Sequence, residues 1–165
     1  MISQGYNIEA SDISNEAIVW CKKCAKQKGI NEKHFFVLDA LDNNLTKKYD
    51  FIFSVAVLHM LTEDEDRIKF LKFICDHLKT EGKAFIVVMG DGEETRHSDS
   101  SKAFELADRP FGDKMIKVAT TSCRMVTWKQ YLDELSSAGF KVIDHYLDTT
   151  VSGFNSSMVA EVQKK

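Results

Sequence analysis

Asp12, Asp39, His59 and the triplet Gly90-Asp91-Gly92 are the residues whose types and spacing could do chemistry. An acid at the carboxyl end of a strand that opens a helix can accept from both hydroxyls of a ribose. Asp12, followed by Ser14 and a helical pattern, has that placement, although a carboxylate favoured by the helix macrodipole explains it equally well. A strand-end histidine such as His59 can orient or deprotonate a substrate, with His97 or Asp91 behind it as bases, or it can make only a structural hydrogen bond at a helix start. Arg96, Arg109 and Arg124 could clamp an anionic substrate, though long charged side chains in loops are commonly just solvated. Gly90-Asp91-Gly92 lacks the third glycine of a dinucleotide fingerprint, Thr95 standing in its place, and is read as a turn. Cys21 and Cys24 form a C-x-x-C, but both fall on a helical apolar stripe with no second ligand pair, so core packing is expected and no metal.

The elements that must position these residues follow from periodicity. Residues 7–12 alternate and lead into a helix with Ala17, Trp20, Cys21, Cys24 and Ala25 on one face, closed by Gly29. The runs 35–38, 51–58 and 84–89 are continuous and apolar, as in strands buried on both faces. Between the last two, Ile68, Leu71, Ile74, Cys75 and Leu78 form a helical stripe that Glu81-Gly82 ends. Strand and helix therefore alternate, which predicts an α/β protein with a mostly parallel sheet and helices on both faces. Residues 91–125 are polar and irregular apart from a helical suggestion over 101–107, and a segment of that length predicts a substrate lid. Thr127 can cap a helix carrying Trp128, Tyr131, Leu132, Leu135 and Ala138, and Gly139 ends it. Residues 140–147 and 158–162 then read as a closing antiparallel hairpin.

The chain has 165 residues, 44% hydrophobic and 28% charged, with one proline. That length predicts a single domain over 1–165, able to bury roughly 68–70% of its unfolded surface without metal or disulfide. Its 22 basic and 25 acidic residues leave a net charge of -3, which argues against a nucleic-acid partner. No apolar run reaches the roughly 18–20 residues that cross a bilayer, so no membrane partner is expected. Without a basic leader, and with four unevenly spaced cysteines, a cytoplasmic location with reduced thiols is expected.

Four segments in order resemble successive motifs of the class I S-adenosylmethionine-dependent methyltransferases. They are residues 5–14 (Gly-Tyr-Asn-Ile-Glu-Ala-Ser-Asp-Ile-Ser), 36–40 (Phe-Val-Leu-Asp-Ala), 49–59 (from Tyr-Asp-Phe-Ile through Val-Leu-His) and 78–88 (from Leu-Lys-Thr-Glu-Gly through Val-Val). Ala138-Gly139-Phe140-Lys141-Val142 is similar to the approach to the family's sixth strand. The resemblance implies a Rossmann-like fold, S-adenosylmethionine as cofactor and methyl transfer to a small-molecule acceptor by direct displacement. By the same token Asp12 holds the ribose hydroxyls, Asp39 accepts from the adenine amino group, and Ala40 offers a backbone N–H to the ring. Ile13 and Leu41 flank the adenine, and Ser54 and Val55 offer backbone oxygen to the methionine ammonium. His59 lines the transfer side and is the candidate base, with Asp91, His97 and Arg109 on the acceptor. Fewer than ten residues precede the strand at 7–12, so the family's first strand, glycine-rich loop and most of its first helix are expected to be missing. That strand is central in the family, between the strands here at 7–12 and 51–58, and a homo-oligomer covering the edge it leaves is expected. The rival readings are a non-catalytic binding module and a NAD(P)-dependent oxidoreductase.

Overall fold

The computed structural model describes residues 2–42, 45–98, 101, 105–111, 114–150 and 155–165, the side chains of residues 3 and 109–111 excepted. The chain divides into two compact units, Met1–Leu45 and Thr46–Lys165.

In the first unit, strand β1 (Ala10–Asp12) runs parallel to β2 (Phe35–Val37), with Ala10, Ser11 and Asp12 opposite Phe35, Phe36 and Val37. Helix α1 (Asn15–Gln27) joins them, and Ser14 caps it by accepting the Ala17 N–H at 3.1 Å. Its inward face is set by Ile18 and Ala25, each 3% exposed. The expected stripe is thus rotated by one position, since Trp20 is 63% exposed and stacks under the Lys23 ammonium, while Cys21 and Cys24 are half-buried.

The second unit holds a four-stranded sheet in the order β3 (Tyr49–Val55), β4 (Leu78–Met89), β10 (Ser157–Lys164), β9 (Phe140–Asp148). β3 is parallel to β4, and both pairs made by β10 are antiparallel, which gives the predicted closing hairpin. Helix α2 (Asp64–His77) fills the β3–β4 crossover. Helix α3 (Trp128–Ser137) opens on a capping box in which Thr127 and Gln130 satisfy each other's backbone N–H, and Gly139 beyond it takes φ +98°.

Buried Ala84, Ile86 and Val88 of β4 face buried Val162, Ala160 and Met158 of β10 in register. Buried Leu71 and Ile74 of α2 and Tyr131 and Leu135 of α3 complete this core. On β3, Phe53 and Val55 remain 56% and 49% exposed, so this strand is not buried on both faces as its unbroken apolar run predicts. Its outer edge pairs with no strand among the described residues.

Two further differences from the sequence reading have physical causes. β4 begins at Leu78, directly after α2, and reaches its main register through an irregularity at Glu81 (φ +64°) and Gly82, where a Cβ would lie 2.9 Å from the Lys79 carbonyl. Residues 91–125 are nested ladders. β5 (Arg96–His97) pairs antiparallel with β8 (Arg124–Met125), and inside that clasp β6 (Leu106–Phe111) pairs antiparallel with β7 (Lys114–Ala119). Of the helical suggestion over 101–107, residues 102–104 lie outside the described residues, and 106 and 107 belong to β6, where cross-strand pairing satisfies the backbone. No helix among the described residues is long and apolar enough to cross a membrane.

Candidate functional site

Parallel pairing in the first unit brings two carboxylates to the same ends of neighbouring strands. Asp12 ends β1, and Asp39 follows β2 by two residues. Each folds back in the same way: Asp12 Oδ1 accepts the Ser14 N–H at 2.8 Å, and Asp39 Oδ1 accepts the Leu41 N–H at 2.8 Å. Such Asx turns fix the carboxylates relative to the strand ends. Each leaves its other oxygen as an acceptor, a donor set suited to hydroxyl or amino groups. Asp12 is exposed and Asp39 half-buried. Beside them Ile13 is 67% exposed, and Ala40 and Leu41 are half-buried, so apolar surface flanks both acids.

In the second unit the strand ends are built differently. Ser54 is 5% exposed, with no hydrogen-bond partner for its Oγ among the described residues, whereas Val55 is half exposed. Ala56 turns the chain out of β3 at φ +62°, a left-handed conformation uncommon for a residue with a Cβ, and its N–H donates to the Val87 carbonyl at 3.0 Å. A 3-10 turn, Leu58–Met60, follows. His59 in that turn is 4% exposed, and its Nδ1 accepts the Met89 N–H at 3.3 Å, tying the end of β3 to the end of β4. Burial, helped by the charge of Arg67, holds its imidazole below the usual histidine range. His59 is therefore a buried ring whose Nδ1 joins two strand ends, the structural hydrogen bond that the sequence offered as one of its two readings.

Sequence reasoning passed over what holds this turn. Arg67 of α2, 1% exposed, donates through Nη1 to the carbonyls of Leu58 (2.8 Å) and Leu61 (3.2 Å). Its Nε and Nη2 grip Glu134 of α3 at 3.0 and 2.6 Å. Arg124 of β8 donates to the Thr62 carbonyl at 2.9 Å and to Asp64 at 2.5 Å. Two guanidinium groups thus clamp residues 58–64, one from the core and one from the base of the 91–125 segment. Tyr131 Oη donates to the Ile86 carbonyl at 2.7 Å, and burial drives its phenol upward.

Gly90-Asp91-Gly92 forms a turn after β4. Gly90 donates to the Ser156 carbonyl at 3.3 Å, and the Gly92 carbonyl accepts the Trp128 N–H at 2.9 Å. A Cβ on Gly92, at φ +82°, would fall 2.2 Å from the Trp128 ring. Asp91 Oδ1 accepts the Glu93 N–H at 3.0 Å, and that bond, with Arg96 nearby, holds its carboxyl below the usual range. Asp91 lines a cavity of about 310 Å³ with Met89, Glu94, Arg96, Met125 and Ser156. His97 is exposed in β5, its Nδ1 2.8 Å from the Ser98 carbonyl, and does not line this cavity. Arg109 lies in β6 opposite Ile116, and its side chain is outside the described residues. No cluster of metal-ligating side chains occurs among the described residues.

The family described as "Methyltransferase domain" matches residues 1–82. A S-adenosylmethionine-dependent methyltransferase structure from Methanosarcina mazei shares the fold at a TM-score of 0.73 and 20% identity, covering 98% of this chain and 84% of that one. The 1,6-didemethyltoxoflavin-N1-methyltransferase of Burkholderia thailandensis, with bound 1,6-didemethyltoxoflavin and S-adenosylhomocysteine, matches at 0.68 and 16% identity, over 99% of this chain and 64% of that one. A glycopeptide N-methyltransferase complexed with (S)-adenosyl-L-methionine matches at 0.70 and 16% identity, over 99% and 75%. No curated sequence matches the chain.

Proposed function

We propose that the chain is a class I S-adenosylmethionine-dependent methyltransferase that transfers a methyl group from S-adenosylmethionine to a small-molecule acceptor by direct displacement, a reading supported by the methyltransferase-domain match and the shared fold. What supports this above all is the pair Asp12 and Asp39, two carboxylates set by identical Asx turns at the ends of adjacent parallel strands. Asp12 takes the ribose hydroxyls and Asp39 the adenine amino group, with the Ala40 N–H on the ring and Ile13 and Leu41 along it. When bound, the cofactor supplies a sulfonium methyl that an aligned nucleophile takes in one step.

The chain's own contribution is alignment and exclusion of water. His59, neutral and tied to Met89, acts as a positioning residue that joins two strand ends, and needs no proton of the acceptor. Asp91 stands on the acceptor side, and the stretch that follows it, to Met125, serves as the lid. The two neighbours named for their acceptors act on 1,6-didemethyltoxoflavin and on a glycopeptide, and the first of them supports a small-molecule acceptor here. The outer edge of β3, which pairs with no strand among the described residues, supports a homo-oligomer that covers it, and sedimentation reads that directly.

Calorimetry with S-adenosylhomocysteine tests the cofactor assignment. The wild-type chain is expected to bind it, and Asp12→Ala and Asp39→Ala to weaken binding by about 10- to 100-fold, the loss of hydrogen bonds to a charged group. Binding of NAD in its place, or unchanged affinity in both variants, would overturn it.

A further inference from the structure

The cavity beyond β4 has a charge balance that names its ligand, resting on the methyl-transfer reading for the idea that an acceptor enters there. Three separate stretches build it: the end of β4 with Met89 and Asp91, the clasp strands with Glu94, Arg96 and Met125, and the approach to β10 with Ser156. Its volume of about 310 Å³ matches the smaller end of natural ligand pockets. Among the described residues two carboxylates and one guanidinium line it, and they are not equivalent. Arg96 places both Nε (2.9 Å) and Nη2 (2.7 Å) on the Glu94 carboxylate, so its directed donors are committed there while its charge also reaches Asp91. Asp91 accepts only main-chain N–H groups, through Oδ1 from Glu93 at 3.0 Å, and the three groups together leave one net negative charge on the wall. The remaining walls include two thioethers, from Met89 and Met125, which are soft, polarizable surfaces for a carbon skeleton.

We propose that this cavity receives an acceptor that carries a protonated amine, its ammonium held by Asp91 and its carbon body between Met89 and Met125. A carboxylate or phosphate acceptor would meet a net negative wall, because Arg96, the one guanidinium among the described lining residues, already holds Glu94. The ammonium is a handle for orientation, and the atom that takes the methyl is another group of the same molecule.

Methionine-methyl NMR on the full chain, titrated with n-butylamine at neutral pH, 1-butanol and butyrate as separate probes, tests this. The Met89 and Met125 methyls are expected to shift with n-butylamine, at least fivefold tighter than with 1-butanol, and butyrate to bind least. Asp91→Asn retains the Oδ1 acceptor for the Glu93 N–H and so the turn, yet should abolish the amine preference. Arg96→Gln releases the Glu94 carboxylate and should tighten amine binding severalfold, a direction that loss of structure cannot mimic. Equal binding of 1-butanol, tighter binding of butyrate, silent Met89 and Met125 methyls, or an amine preference that survives Asp91→Asn would each overturn the proposal. S-Adenosylhomocysteine calorimetry on the same samples separates the two readings. Cofactor binding without amine preference removes only the amine assignment, and amine preference without cofactor binding removes only methyl transfer.

Discussion

Replacing Arg67 with Met should cost the second unit about 3 kcal/mol, the lower end of what breaking a buried ion pair costs. The magnitude follows from its partners. The side chain is 2% exposed and makes four hydrogen bonds, two to the Glu134 carboxylate and two to main-chain carbonyls. Methionine fills most of the volume, so the cavity cost is small, but the Leu58 carbonyl keeps only the Leu61 N–H at 3.2 Å and loses its charged donor inside the core, a loss of about 1.5–3 kcal/mol. Glu134 is left unpaired, yet its side chain is 17% exposed and can rehydrate, which holds the total near the lower end. Urea unfolding at equilibrium reads this as a lower midpoint at unchanged m. Glu134→Leu and the double variant complete a cycle, and the coupling energy should exceed about 1.5 kcal/mol because Glu134 has little left to lose once Arg67 is gone. A loss under about 1 kcal/mol, or additive effects, would show that the clamp on residues 58–61 adds nothing beyond packing.

Gly92→Ala should lower Tm and change Trp128 fluorescence, since its new methyl collides with the indole at a left-handed φ; an unchanged melt would refute the collision. His59 titrates in the fold below its unfolded value of about 6.5, so its contribution to stability is present above that pH and is lost as pH falls toward the depressed folded value. His59→Asn, which keeps an acceptor for the Met89 N–H, should flatten the stability profile between pH 7.5 and 5, and an unchanged slope would assign the pH dependence to another group. Amide exchange should be much faster in β6 and β7 than in β4 and β10, and ligand should slow it; equal protection would remove the lid role of 91–125.

Burial by periodic apolar runs was the most readable feature of the chain. β2, β3, β4 and the β9–β10 hairpin lie where continuous runs end in turn residues, and α3 starts at its Thr127–Gln130 box. Charged core residues hid the rest. In α2 the buried stripe is Arg67, Leu71, Ile74 and Cys75, while Ile68, the apolar choice at that turn, is 40% exposed. A positively charged residue at a stripe position, with Glu134 falling beside Tyr131 on a second stripe, was the available signal for the clamp. The β6–β7 ribbon escaped for a different reason. Leu106 and Met115 are 70% and 63% exposed, and a ribbon with no fully buried side chain among its described residues imposes no strong period-two pattern on its sequence. Of the site, the strand-end acids were legible because strand ends were. The burial of His59 was not, since it depends on what α2 lays over the turn.

The two-residue β5–β8 clasp also makes the chain between its strands an exchangeable cassette. Arg96 and His97 lie directly opposite Met125 and Arg124, so whatever is spliced between them leaves and re-enters the sheet at one fixed point. Polymer statistics make such a graft inexpensive, each doubling of loop length adding only about 0.6 kcal/mol of closure entropy. The β6–β7 ribbon can then be lengthened, shortened or swapped while the β4–β10 ladder that carries the turn at Gly90 keeps its register. Selection, or a designer, can rewrite this stretch without reopening the question of how the chain folds.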